Sequence, residues 1–124
     1  MRILLDHNLP RQLARLLLDH DVGVAALLGW AELSNGDLLR QAEAAGFDCM
    51  VTGDRNIAYQ QNLAGRKIAL VVLNSTRRDV ILRQVRVIAG VLDRVVEGAY
   101  LEVSLDLPPL RRRPFAGPAP RGEG

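Results

Sequence analysis

Short apolar runs alternate along the chain with stretches whose apolar residues recur every three or four positions, a rhythm that predicts parallel strands joined by covering helices. Ile3-Leu4-Leu5 is apolar at consecutive positions, as in a strand buried on both faces. Leu9, Leu13, Leu16 and Leu17 then return at helical spacing, with Pro10 in the first turn, where its missing N–H costs little. Val22 to Ala26 reads as a second strand. A loop through Trp30 leads to a helix beginning near Asn35, with Leu38, Leu39, Ala42 and Ala45 on one side. Phe47 to Thr52 supplies a third strand, Arg55 to Asn62 a short helix, and Ile68 to Leu73 a fourth strand apolar on both faces. Val80, Ile81, Val85, Ile88, Leu92 and Val95 mark one long helix, after which Tyr100 to Ser104 alternates like a strand with one wetter face. The expected architecture is a three-layer α/β/α sandwich around a mostly parallel five-stranded sheet. The expected strand order is 2-1-3-4-5, because right-handed crossovers must reverse direction once to cover both faces.

Length and composition fit one such unit. A chain of 124 residues accommodates one core, and 48% apolar residues suffice to bury a sheet. Aromatic residues are only 4%, so aliphatic side chains must fill that core and stacking platforms for nucleic-acid bases are scarce. The boundary is drawn at residue 106. Residues 1–106 carry 12 basic and 13 acidic groups, whereas 107–124, with Pro108-Pro109 and Arg111-Arg112-Arg113, carry four basic and one acidic. Prolines, glycines and arginines replace periodic apolar residues there, as in a flexible tail that either solubilises the domain or holds an RNA backbone or acidic partner. The single cysteine, Cys49, lies in an apolar strand and reads as a small buried side chain. Three apolar residues before Asp6 are too few for a secretion signal, and no run approaches the roughly 20 apolar residues of a membrane span, so the expectation is a cytoplasmic protein.

In sheets of this kind ligands bind beyond the carboxyl ends of the strands. Asp6 follows the first strand and Asp54 the third, which the reversal of strand order makes neighbours. Asp37 opens the second helix at the same edge, joined by Asn8, Asn56, Asn74, Ser75 and Thr76. Converging carboxylates repel one another unless a proton or cation intervenes. Mg²⁺ or Mn²⁺, with its preference for oxygen ligands and retained waters, suits such a cluster and also suits phosphodiester hydrolysis.

Structural duties compete for the same residues. Ser34-Asn35-Gly36-Asp37 and Thr76-Arg77-Arg78-Asp79 both resemble capping boxes. Asp54 and Asn8 are each placed to cap a following helix. Asp6 has no automatic structural role directly after a buried strand, which favours function there. His7 and His20 lack the spacing of a zinc site and read as ordinary polar residues.

Leu4-Leu5-Asp6-His7-Asn8-Leu9-Pro10 resembles the opening Leu-Leu-Asp-x-Asn-Leu-Pro of a shortened PIN-like family related to VapC toxins. Met50-Val51-Thr52-Gly53-Asp54-Arg55-Asn56 resembles its Val-x-Thr-x-Asp segment, and Gly36-Asp37-Leu38-Leu39-Arg40-Gln41-Ala42 looks like its Asp-x-x-Ile/Leu-x-x-Ala helix start. In outline the resemblance covers residues 2–103. It implies a PIN-like fold and a Mg²⁺- or Mn²⁺-dependent ribonuclease site at Asp6, Asp37 and Asp54, often paired with an antitoxin. RNA is then the expected substrate and a cognate antitoxin the expected partner, with no membrane association and a homodimer left open. On this reading Asp6 and Asp54 hold the principal cation, Asp37 completes or orients the site, Asn8, Thr52 and Asn56 position water or substrate, and Arg11, Arg55 or Arg77 meets RNA phosphates. The family's additional Glu has no counterpart in the short stretch between Asp6 and Asp37, position 7 is His rather than Glu, and Glu32 is the nearest substitute.

Two other classes fit parts of the pattern. A noncatalytic PIN-like interaction or RNA-binding module is favoured by the missing acid. A receiver-like signalling domain would use Asp6, Asp54 and Ser75 or Thr76, but the chain has no adjacent acids at the first position and no Lys beyond Lys67.

Overall fold

The computed structural model describes residues 1–57 and 65–105. Its centre is a five-stranded sheet of β1 (Arg2–Leu5), β2 (Asp21–Val24), β3 (Cys49–Thr52), β4 (Ala69–Leu73) and β5 (Tyr100–Val103), in the order β2-β1-β3-β4-β5. Every pairing is parallel, so the fold is the three-layer α/β arrangement read from the sequence, with the fifth strand parallel as well. The described helices are α1 (Gln12–Leu16), α2 (Asn35–Ala44), α3 (Arg78–Arg83) and α4 (Val85–Leu92).

Alternation along the strands divides the core in two. Ile3, Leu5, Cys49, Val51, Val71 and Leu73 pack with Leu13 of α1, Ile81 of α3, and Ile88 and Leu92 of α4. Leu4, Met50, Leu70 and Val72, at the intervening positions, pack with Leu38, Leu39 and Ala42 of α2. Both faces of the central strands are therefore covered, which is why their sequences are continuously apolar. Ser34 caps α2, its Oγ accepting the Asp37 N–H at 3.3 Å, the first half of the expected capping box.

Three expectations need correction. The long helix is two segments: at Gln84 the backbone leaves helical geometry (φ −107°, ψ 22°), while the side chain reaches across to donate to the Leu105 carbonyl. Val80, Ile81, Val85, Ile88 and Leu92 keep helical spacing through that break, so periodicity alone does not reveal it. Thr76 does not cap α3, whose N-cap is Arg77 with no side-chain hydrogen bond, and Asp79 instead pairs with Arg77 at 3.0 Å. Leu16, placed on the inner face of the first helix, is 46% exposed because α1 ends there after five residues. The tail at 107–124 and most of the helix expected over Arg55 to Asn62 lie outside the described residues.

Candidate functional site

Strand register determines which polar side chains meet. Leu5 pairs with Val51, and the ladder continues as the Asp6 N–H donates to the Val51 carbonyl at 2.9 Å. Asp6 and Thr52 thus occupy the next positions on neighbouring strands, in alternation with Leu4 and Met50 on the face that α2 covers. Both are buried, Asp6 at 2% exposure and Thr52 fully. The Thr52 hydroxyl donates to Asp6 Oδ2 at 2.7 Å and accepts the Asp54 N–H at 3.0 Å, joining the two acids through one side chain. Asp6 Oδ1 accepts the His7 N–H at 2.7 Å and lies 2.9 Å from His7 Nδ1.

Asp54 has donors on both oxygens. Oδ1 accepts the Asn56 N–H at 2.9 Å, closing the turn that follows β3. Oδ2 accepts from Asn35 Nδ2 at 2.8 Å. Asn8 does not cap α1; its Oδ1 accepts the Gly53 N–H at 3.2 Å and ties the loop after β1 to the loop after β3. Gly53 is needed for close approach: a Cβ there would lie 2.4 Å from the Thr76 methyl. Asp6, Asn8, Thr52 and Asp54 are thus brought into one hydrogen-bonded constellation at the carboxyl ends of β1 and β3.

Asp37 is directed elsewhere. Its carboxylate pairs with Arg40 one turn along α2, and this hydrogen bond, with that of Ser34 and the charge of Arg40, holds it below the usual carboxylate range. Among the described residues no three His, Cys, Asp or Glu side chains form a group placed to hold a metal ion. Asn35 is the site residue that the sequence reading missed. Its signal was present, an amide at the start of the helix that covers the Asp6 face, but the more conspicuous acid two positions on drew the assignment.

The remaining candidates form an outer ring. Arg55 is exposed and, with Val72, Asn74, Glu102, Val103 and Ser104, lines a cleft of about 260 Å³ beside the carboxyl ends of β4 and β5. Asn74 is engaged there, accepting the Leu105 N–H at 2.8 Å. Arg77 is paired with Asp79, Arg11 is exposed at the start of α1, the Asn56 side chain is exposed, and Glu32 is exposed in the loop before α2. A larger cleft of about 620 Å³, touching Met1, Asp48 and Lys67, lies at the opposite, amino-terminal end of the strands. Parallel-sheet chemistry is not expected at that end.

No family profile, curated protein or solved structure matches the chain. Among the described residues no helix is long and apolar enough to cross a membrane.

The donor set around Asp6 and Asp54 is made of hard oxygens: two carboxylates, the Thr52 hydroxyl and the Asn8 amide carbonyl. It fits Mg²⁺ or Mn²⁺, which are commonly held by one or two carboxylates with water and substrate phosphate filling the other positions.

Proposed function

We propose that this chain is a PIN-like, Mg²⁺- or Mn²⁺-dependent endoribonuclease, paired in the cytoplasm with a cognate antitoxin. The observation that carries the reading is the bridge from buried Asp6 through the Thr52 hydroxyl to Asp54, at the switch point between β1 and β3. The motif resemblance at Asp6 and Asp54 supports the same reaction class.

Asp6 and Asp54 would hold the cation, which when bound supplies an activated water and stabilises charge on the leaving oxygen. Thr52 fixes the Asp6 carboxylate relative to the backbone that carries Asp54. Asn8 holds the loop bearing Asp54 against the loop bearing Asp6. Arg55, exposed beside Asp54, offers a guanidinium to the RNA backbone, and Arg11 lies exposed at the start of α1.

A second reading, a noncatalytic PIN-like interaction module, is favoured by the Asp37–Arg40 pair, which leaves two carboxylates rather than three at the site. One experiment separates them: Mn²⁺ is titrated calorimetrically into the full chain and its Asp54→Asn variant, and both are incubated with structured and single-stranded RNA. Metal binding and metal-dependent cleavage that both fall in the variant support the nuclease. A folded parent that takes up no Mn²⁺ and cuts neither RNA moves the assignment to the interaction module.

A further inference from the structure

We propose that Asn35, and not Asp37, is the third arm of the Asp6–Asp54 site, a positioning residue whose neutral amide sets the charge of that site. The inference rests on the metal-binding reading above.

Asn35 is the first residue of α2, and its Nδ2 donates to Asp54 Oδ2 at 2.8 Å while the Asn56 N–H holds Oδ1 at 2.9 Å. The carboxylate of Asp54 is thereby fixed from two directions, by its own loop and by the helix covering the Asp6 face. Side chains two positions apart on an α-helix point about 200° away from each other. If residue 35 faces the site, residue 37 faces away, and the Asp37–Arg40 pair is the expected consequence. The choice between the two is therefore made by the rotation of α2. That rotation is fixed by the burial of Leu38, Leu39 and Ala42 against the sheet.

An amide at this position does what a third carboxylate could not: it donates a hydrogen bond to Asp54, where a carboxylate would need a cation or proton between the two. Its cost is charge. A hard divalent ion here meets two negative side chains, and affinity for such ions rises with the number of charged ligands. Asn35→Asp would place a carboxylate 2.8 Å from Asp54 Oδ2 with no donor between them, a repulsion that a cation relieves. Asn35→Ala would remove the clamp on Asp54 and leave its charge unchanged.

The test is calorimetric titration of Mn²⁺ into the full-length parent, Asn35→Ala and Asn35→Asp, with the melting temperature of each recorded with and without Mn²⁺. The expected result is affinity roughly tenfold weaker in Asn35→Ala and roughly tenfold tighter in Asn35→Asp, whose melting temperature rises on adding metal. A purely structural role would predict no gain in Asn35→Asp. An Asn35→Asp chain that folds only with Mn²⁺ supports the proposal in the same way. If the parent binds and both variants bind like it, the role of Asn35 is overturned while the metal site stands. If parent and Asn35→Ala are silent but Asn35→Asp binds, the position of residue 35 is upheld and the metal reading of the natural chain falls. Silence from all three overturns both.

Discussion

Replacing Thr52 with Val should destabilise the protein out of proportion to the change in shape. Valine has nearly the volume of threonine, so no cavity forms; what is lost is a hydroxyl with two partners. Its bond to Asp6 Oδ2, 2.7 Å long and buried, ends on a charged group and is worth about 1.5–3 kcal/mol. The Asp54 N–H, which donates to the same oxygen at 3.0 Å, becomes a partly buried donor without its partner at a further cost of about 1 kcal/mol. The sum is about 3 kcal/mol, a large share of the stability of a domain this size and enough to lower the melting temperature by about 10–20 °C. Urea denaturation of the parent, Thr52→Val, Thr52→Ser, Asp6→Asn and the Thr52→Val/Asp6→Asn pair provides the assay. Thr52→Ser keeps the hydroxyl and should lose only the contribution of its methyl group, about 1 kcal/mol. The double-mutant cycle should return a coupling of at least about 1.5 kcal/mol between residues 6 and 52. Additive effects, or a Thr52→Val loss no larger than that of Thr52→Ser, would refute the bridge.

Further outcomes follow from other parts of the structure. Burial, and secondarily the charge of Asp48, pushes the Cys49 thiol up to about 12, so a maleimide at pH 8 should label the native chain negligibly and the urea-unfolded chain completely. Arg40→Gln should return the Asp37 carboxyl toward its ordinary range in an NMR titration. Because the folded value is lowered, the contribution of the pair is present above the unfolded-state value and disappears as pH falls through the folded one, so parent and variant should converge in stability in acid. Gly53→Ala should cost about 1–3 kcal/mol in urea denaturation, since the new methyl would lie 2.4 Å from the Thr76 methyl; an unchanged midpoint would show that the loop carrying Thr76 yields freely.

Strand order and the neighbouring positions of Asp6 and Asp54 are legible from the sequence because they follow from topology. A doubly covered parallel sheet needs one reversal, and the reversal between β1 and β3 places their carboxyl ends side by side. The apolar side read for α2 also carries residue 35, which stands three, four and seven positions before Leu38, Leu39 and Ala42, but the acid at 37 is the more conspicuous candidate. Asn35 and Asp37 share the same helix start, and the packing of Leu38, Leu39 and Ala42 decides which of them turns toward Asp54. Ser34 and Asp37 match a capping box, and the Ser34 Oγ does accept the Asp37 N–H, but the Asp37 carboxylate pairs with Arg40. The break at Gln84 escaped because apolar periodicity reports which side is buried and is indifferent to whether one segment or two present it.

The two acids of the bridge carry different weight as signs of function. Asp54 has a sufficient local reason to exist, since its Oδ1 accepts the Asn56 N–H and starts the turn after β3. Asp6 has no such reason. Its charge is buried at 2% exposure, where desolvation is costly, and its partners are the Thr52 hydroxyl, its neighbour's N–H and the His7 ring, with no Lys or Arg beside it among the described residues. An apolar residue after Leu5 would continue the strand without that cost, and a polar residue directed to solvent would end it as well. A carboxylate kept at the one place where the sheet order opens a crevice, and tied through a buried hydroxyl to the backbone N–H of a second acidic residue, is better accounted for by what it can bind than by what it stabilises. Asp6→Leu, which leaves the Thr52 hydroxyl without its acceptor, should lose about 1–3 kcal/mol in urea, no more than Thr52→Val, while abolishing Mn²⁺ uptake. A loss well beyond that of Thr52→Val would make Asp6 a structural residue and remove the strongest support for the site.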